Sequence, residues 1–349
     1  MSERVDHIWK TKKVKQAVAL LILRQCLLAN IAGLSHGALQ VGFYRGKCGI
    51  ADVEMIVAGV VTARFFRDPT VVAALIRLQF HDCFVNGCDA SILIDATNSE
   101  KTAIPNLTIR GYDIIDEAKA AVERFCPGVV SCADLIAIAA RDAVFLGGGG
   151  RYEVQTGRRD GLVSLAQNVS ISIPGPSASI PQTMAVFANK GLNLTDMVLL
   201  MGGHSVGVAH CSIFKDRLYN FRSTGRPDPT MDSFLANKLR ARCPLDTTTT
   251  TTTTTANNTV DLDQNPFQIP FLDNSYYRQL MLNRGVLEID QELALHPLTR
   301  ATVMSIANAL DFPIQFGAAM VKMGAIEVLT GMQGEIRRFC TATNWPPFT

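Results

Sequence analysis

Arg77 and His81 stand four residues apart in the run Arg77-Leu78-Gln79-Phe80-His81-Asp82-Cys83-Phe84-Val85-Asn86-Gly87-Cys88-Asp89-Ala90-Ser91. The apolar and long-chain residues of 71–82 predict a helix, and on a helix this spacing puts the imidazole and the guanidinium on one face. A base and a fixed cation then address the same point. Two cysteines with four residues between them close a small loop, and that loop carries Asp82, Asp89 and Ser91, oxygen donors of the hard kind a divalent cation prefers. The plain alternative is a helix end stapled by a disulfide, with a surface arginine and a half-buried histidine. Zinc at His81, Cys83 and Cys88 would want a second close Cys or His pair, and none is apparent.

Of the six histidines, His7 and His36 fall in an N-terminal stretch expected to be removed, which leaves His81, His204, His210 and His296. His204 lies in Gly202-Gly203-His204-Ser205-Val206-Gly207, where glycines let a large planar group approach the backbone. Taken alone, such a residue is more commonly a buried, hydrogen-bonded histidine.

At 349 residues and 48% hydrophobic content the chain is too apolar for disorder and long enough for one large domain or two lobes sharing a core. Net charge is +2, and residues 1–38 hold six basic and two acidic side chains, leaving the remainder at −2. Nothing there favours nucleic acid or an anionic membrane. Residues 1–38 read as a secretory signal with a long basic front, an apolar core interrupted by Arg24, and small residues up to Ala38. The uninterrupted apolar run is far shorter than the roughly 20 residues a membrane span needs. Nine cysteines are present. Cys26 lies in the signal, and the other eight, an even set spread along the chain, fit disulfides in an oxidising compartment, with the pairing open.

Helical periodicity covers 53–67, stopped by Asp68-Pro69-Thr70, and then 114–125 and 131–146, the last ending in four glycines. Further helices are expected over 184–190, 196–202, 211–219, 276–282, 298–308 and 312–322. Residues 151–183 read as mostly irregular, and the nine threonines of 247–255 read as a surface insertion. No segment alternates as a strand would, and no repeat is visible. The fold class is all-α.

The stretch 77–91 resembles the distal segment of the secretory plant (class III) haem peroxidases, meeting the pattern R-L-x-F-H-D-C-F-V-x-G-C-D-A-S at every fixed position. The resemblance extends over residues 39–343, through Gly331-Met332-Gln333-Gly334-Glu335-Ile336-Arg337-Arg338-Phe339-Cys340. It implies roughly ten helices in two lobes, a distal half over 39–183 and a proximal half over 184–349, with one haem b between them. Haem needs one axial ligand and, for peroxide chemistry, an uncoordinated base on the opposite face. By resemblance His204 is the ligand, His81 the base, Arg77 the charge stabiliser and Phe80 a haem neighbour. Asn106 is the acceptor that keeps the other nitrogen of His81 basic. Asn106-Leu107-Thr108 is also a glycosylation sequon, and the hydrogen bond is the favoured role. The segment Gly285-Val286-Leu287-Glu288-Ile289-Asp290-Gln291 resembles the family's G-L-L-x-S-D-Q, which makes Asp290 the partner of His204. Pro174 matches a proline at the substrate entrance.

Two calcium ions are also implied. The distal one would use Asp82, Val85, Gly87, Asp89 and Ser91; the proximal one Ser205, Asp263, Gln268, Phe271 and Asp273. The implied disulfides are Cys48–Cys126, Cys83–Cys88, Cys132–Cys340 and Cys211–Cys243. The sequence departs from the family pattern in lacking Pro after Cys48, in Gly150 for Pro, Tyr152 for Trp and Leu272 for Phe. Asp263 and Asp273 are also ten apart rather than eight.

The resulting expectation is a secreted, glycosylated, monomeric peroxidase of the cell wall rather than the vacuole. It would use hydrogen peroxide to oxidise small phenolic donors by one-electron steps through a high-valent oxo-iron species, removing peroxide and oxidising lignin and wall phenolics. The rival is an extracellular haem- or wall-binding protein on the same scaffold without turnover.

Overall fold

Asp52 accepts a hydrogen bond from the backbone of Met55 and so caps α1 (Val53–Arg67), whose last turn places Arg64 and Arg67 at the negative end of the helix dipole. These residues belong to a computed structural model that describes residues 38–245, 258–265 and 271–344. Residues 1–37 of the signal expected at 1–38, the threonine run at 247–255 and Gln268 lie outside the described residues.

The next helix, α2 (Val71–Val85), runs three residues past the expected end at 82. It is buried nearly all round. Only Arg77 is exposed, with Ala73, Ala74 and Phe80 half-buried. Ala73, Arg77 and Phe80 follow helical spacing, so one narrow strip of an otherwise core helix faces open space. Next come α3 (Tyr112–Glu123) and α4 (Cys132–Leu146), the latter capped by the Ser131 hydroxyl on the Asp134 amide. In α4, thirteen consecutive residues from Cys132 to Val144 are buried. Such a helix must pack on several sides, and it lies against both α1 and α2.

Residues 151–183 are more ordered than expected. Gln155–Thr156 (β2) pairs antiparallel with Gln40–Val41 (β1), and α5 (Ala166–Ser172) follows. In α5 only Val169 is buried, so no apolar stripe announces it. Ser179 and Gln182 form a capping box that starts α6 (Ile180–Asn189), and Asn193 and Asp196 form another for α7 (Leu194–Met201). His204 sits in the short 3₁₀ turn that follows. Beyond it β3 (Val208–His210) leads into α8 (Cys211–Tyr219), then α9 (Ser233–Arg242) and β4 (Thr259–Asp261), which pairs antiparallel with β3. The chain closes with α10 (Ser275–Met281), α11 (Glu288–Leu295), α12 (Arg300–Ala307) and α13 (Phe312–Met323).

Among the described residues there are thirteen α-helices and two two-stranded sheets. The excess over ten comes from the short elements α5, α9 and α11: α5 and α9 carry too few buried positions to show a period, and in α11 the buried positions include the polar Glu288, Asp290 and Gln291, which hide the apolar spacing. The strands, two or three residues long, are too short to show alternation.

Two apolar clusters share α2. Val71, Leu75 and Leu78 join α1, α3 and α4 in one, while Val72, Ile76, Cys83 and Phe84 join α6, α7 and α10–α13 in the other. A third cluster gathers α8, α9 and Val286–Ile289. All eight described cysteines form disulfides, Cys48–Cys126, Cys83–Cys88, Cys132–Cys340 and Cys211–Cys243.

Candidate active site

His81 is buried and its Nδ1 lies 2.6 Å from Asn106 Oδ1. The amide of Asn106 is itself oriented, because Nδ2 donates to the Glu100 carbonyl at 2.8 Å. Oδ1 therefore faces the ring as an acceptor, Nδ1 must carry the hydrogen, and Nε2 is left as a bare base. Burial, and then the nearby Arg77 charge, lower the pKa of His81 to about 3 against the opposing pull of the Asn106 bond. Its ring stays neutral at any ordinary pH. Asn106 is 2% exposed with its amide nitrogen in use, so it has no room for a glycan.

Arg77, one turn earlier on α2, donates to the Thr108 hydroxyl at 3.0 Å and to the Pro105 carbonyl at 3.0 Å. A single segment, 105–108, thus fixes both the cation and, through Asn106, the base. Phe80 packs edge-on against His81, ring centres 5.4 Å apart, and leans on Phe84 at 4.4 Å. Pro174 is half-buried just beyond α5, which packs against α2 and the turn at 104–106.

The turn holding His204 touches α2. A Cβ built on Gly203 would meet Ile76 at 3.4 Å, and one on Gly207 would meet Ala73 at 2.8 Å, which is why glycine is required at Gly207, where φ is also +90°. His204 Nδ1 lies 2.8 Å from Asp290 Oδ1, and Asp290 is fully buried. A carboxylate can only accept, so Nδ1 donates and Nε2 keeps its lone pair for a metal. Asp290 is placed by the segment before it: Gln291 Oε1 accepts from Gly285 N at 3.0 Å, and the buried Arg217 donates to the Gly285 and Val286 carbonyls at 2.7 and 2.8 Å.

The residues present fit a haem. The side chain of His204 is 33% exposed although its partner is sealed, and the strip of exposed Arg77 and half-buried Ala73 and Phe80 lies on the helix that this turn touches.

They also fit cations. Asp82 Oδ2 accepts from Ala90 N at 3.1 Å while Oδ1, fully buried, has no partner, and the same is true of Glu100 Oε2. Burial and mutual repulsion push the Asp82 carboxyl well up; burial above all raises Asp89 to about 6 and Glu100 to about 8. The loop is held in shape by Asn86, whose Nδ2 reaches Glu100 Oε1 at 2.8 Å, and by Gly87, where any Cβ would strike the Glu327 carbonyl at 2.5 Å. The Val85 carbonyl accepts from Lys190 Nζ at 3.4 Å. In the turn that holds His204, Ser205 Oγ is buried without a partner. Sheet β3–β4 brings Asp263 toward that turn, where it accepts from the Ser275 hydroxyl, and Ser275 N donates to Asp273 at 2.7 Å. The ten-residue spacing therefore does not separate the two aspartates. The Phe271 ring lies over Gly148, so only its backbone carbonyl could serve. Among the described residues, no three His, Cys, Asp or Glu side chains converge as a metal-ligand set. The expected sets do not need one, since each combines two carboxylates with a hydroxyl and carbonyls.

Sequence reasoning assigned no role to Glu100, Thr108 or Tyr276. Each acts through a tertiary contact with a residue 6 to 31 positions away, and no local pattern marks such a partner.

The peroxidase family model matches residues 57–309. Peroxidase 60 of Arabidopsis thaliana is 47% identical over 93% of this chain and 96% of its own length, and Peroxidase 57 of the same plant is 48% identical over 91% and 96%. Peroxidase N1 of Nicotiana tabacum is 43% identical over 95% and 97%. With a base and a candidate axial ligand on touching elements, each imidazole fixed through Nδ1 so that Nε2 is free, and relatives of this similarity along nearly the whole chain, the protein belongs to the plant (class III) haem peroxidase family.

Proposed function

We propose that this peroxidase holds one haem b through His204 and two calcium ions. In this reading it oxidises small phenolic donors in one-electron steps, and acts as a secreted monomer of the cell wall. The observation that carries the reading is the opposite use of two similarly tethered imidazoles. His204 is held by a carboxylate, which strengthens it as a ligand, and His81 by a neutral amide, which keeps it a free base. Secretion is supported by the pairing of all eight described cysteines, since disulfides persist in oxidising compartments. Among the described residues no helix is long and apolar enough to cross a membrane.

Bound haem supplies the iron that takes up oxidising equivalents from peroxide and returns them one at a time to the donor. The chain supplies the proton movements. His81 Nε2 removes the proton from one peroxide oxygen and delivers it to the other, so that the departing oxygen leaves as water. Arg77 balances the negative charge that grows as the O–O bond breaks. Asn106 holds His81 in the tautomer that can do this, and Phe80 walls the side of the ring. Pro174 would offer a rigid carbonyl to a phenol hydroxyl. A non-catalytic haem- or wall-binding protein has no use for a base locked in one tautomer.

The test is a donor screen on purified, haem-loaded protein, with absorption followed on adding peroxide. Peroxide-dependent spectral change together with phenol turnover is expected. Haem binding without either would leave only the non-catalytic reading.

Calcium removal gives a separate prediction. Chelation should lower thermal stability, by about 2.7 kcal/mol for each ion supplied at a hundredfold excess over its dissociation constant. Asp82→Asn should abolish the distal share of that effect. An unchanged unfolding curve after chelation would show that the orphaned carboxylate oxygens do not hold a cation.

A further inference from the structure

Asp290 receives two donors on one oxygen. Its Oδ1 is 2.8 Å from His204 Nδ1 and 2.8 Å from the hydroxyl of Tyr276, while Oδ2, equally buried, has no partner. Tyr276, on α10, is 1% exposed, and its ring stands perpendicular to that of His204 with centres 6.2 Å apart. Its neighbour Tyr277 sends its hydroxyl elsewhere, to the carbonyls of Val198 and Leu199. Burial and the facing carboxylate hold the Tyr276 hydroxyl well above its ordinary pKa, so it remains a donor.

A carboxylate oxygen shared between two donors gives less of its charge to each. The His204 N–H bond is correspondingly weaker than it would be to an unshared Asp290, and the imidazole carries less anionic character toward a metal on Nε2. We propose that Tyr276 is a positioning residue that limits how strongly His204 donates to the haem iron, by drawing charge from the carboxylate behind it. This rests on His204 being the axial ligand. It goes beyond that reading by assigning the strength of the bond to a residue that touches neither iron nor substrate.

The test uses haem-loaded protein and two spectroscopic readouts, the ferric/ferrous midpoint potential and the iron–histidine stretching frequency of the ferrous form. In Tyr276→Phe the Asp290 charge returns to His204, so the potential should move negative and the stretch should rise. 3-Fluorotyrosine at position 276 keeps the shape, strengthens the donor and should shift both the other way. It carries the test alone if the phenylalanine variant does not bind haem. A Tyr276 that merely fills space would leave both quantities unmoved, and unmoved or reversed shifts overturn the proposal. The underlying reading is checked separately. An iron–histidine band in the unmodified protein that disappears in His204→Ala upholds it, whereas no such band, or one that survives that change, overturns both.

Discussion

His81→Leu should leave haem bound and slow the reaction with hydrogen peroxide by roughly 10³- to 10⁴-fold, at the upper end of what one positioned acid–base group contributes. That corresponds to about 4 to 5.5 kcal/mol of barrier. The effect is large because one imidazole serves twice, as acceptor of the first proton and donor of the second, and among the described residues His81 is the base that Asn106 orients. Leucine fills most of the buried space. The cost to the fold is the stranding of Asn106 Oδ1, about 1 to 3 kcal/mol, which a chain with four disulfides tolerates. Stopped-flow mixing with peroxide reads the rate directly. A rate near that of the unmodified protein would mean that proton transfer is performed elsewhere.

Arg77→Leu should cost about 10²- to 10³-fold in the same rate, the loss typical of removing one preorganised donor from a site of developing negative charge. The guanidinium is held by both Thr108 and Pro105, so it does not have to be organised as the reaction proceeds. Arg77→Lys keeps the charge but loses the fork and should recover only part of the rate. Arg77 and His81 act on the same transition state, so the double variant should fall short of the product of the two single losses. Full multiplicativity would place the arginine outside that step.

How much of this was readable in the sequence differs from one element to the next. The start of α1 follows from its Asp52 cap, α8 spans the expected 211–219 without a side-chain cap, and the helical spacing of Arg77 and His81 holds in α2. The pairing of His81 with Asn106, 25 residues away, and of His204 with Asp290, 86 residues away, has no local signal and enters only through the resemblance. The bond of Tyr276 to Asp290, 14 residues away, has no local signal either. A tyrosine in an apolar helix reads as core packing, and only the fold shows that its hydroxyl ends on Asp290. Short surface helices such as α9, where three of ten residues are buried, leave no periodicity to find. Spacing along the chain is the only measure the sequence offers for Asp263 and Asp273, whereas in the fold Ser275 bonds to both of them despite the extra length.

The asymmetry between the two histidines is tested most directly by electron paramagnetic resonance of the ferric, haem-loaded protein. The expected spectrum is high-spin, from iron bonded to one imidazole, unchanged in His81→Leu and lost in its native form in His204→Ala. A low-spin spectrum of two bound imidazoles that turns high-spin when His81 is removed would show that His81 is a ligand, and the assignment of a free base above the iron would fail.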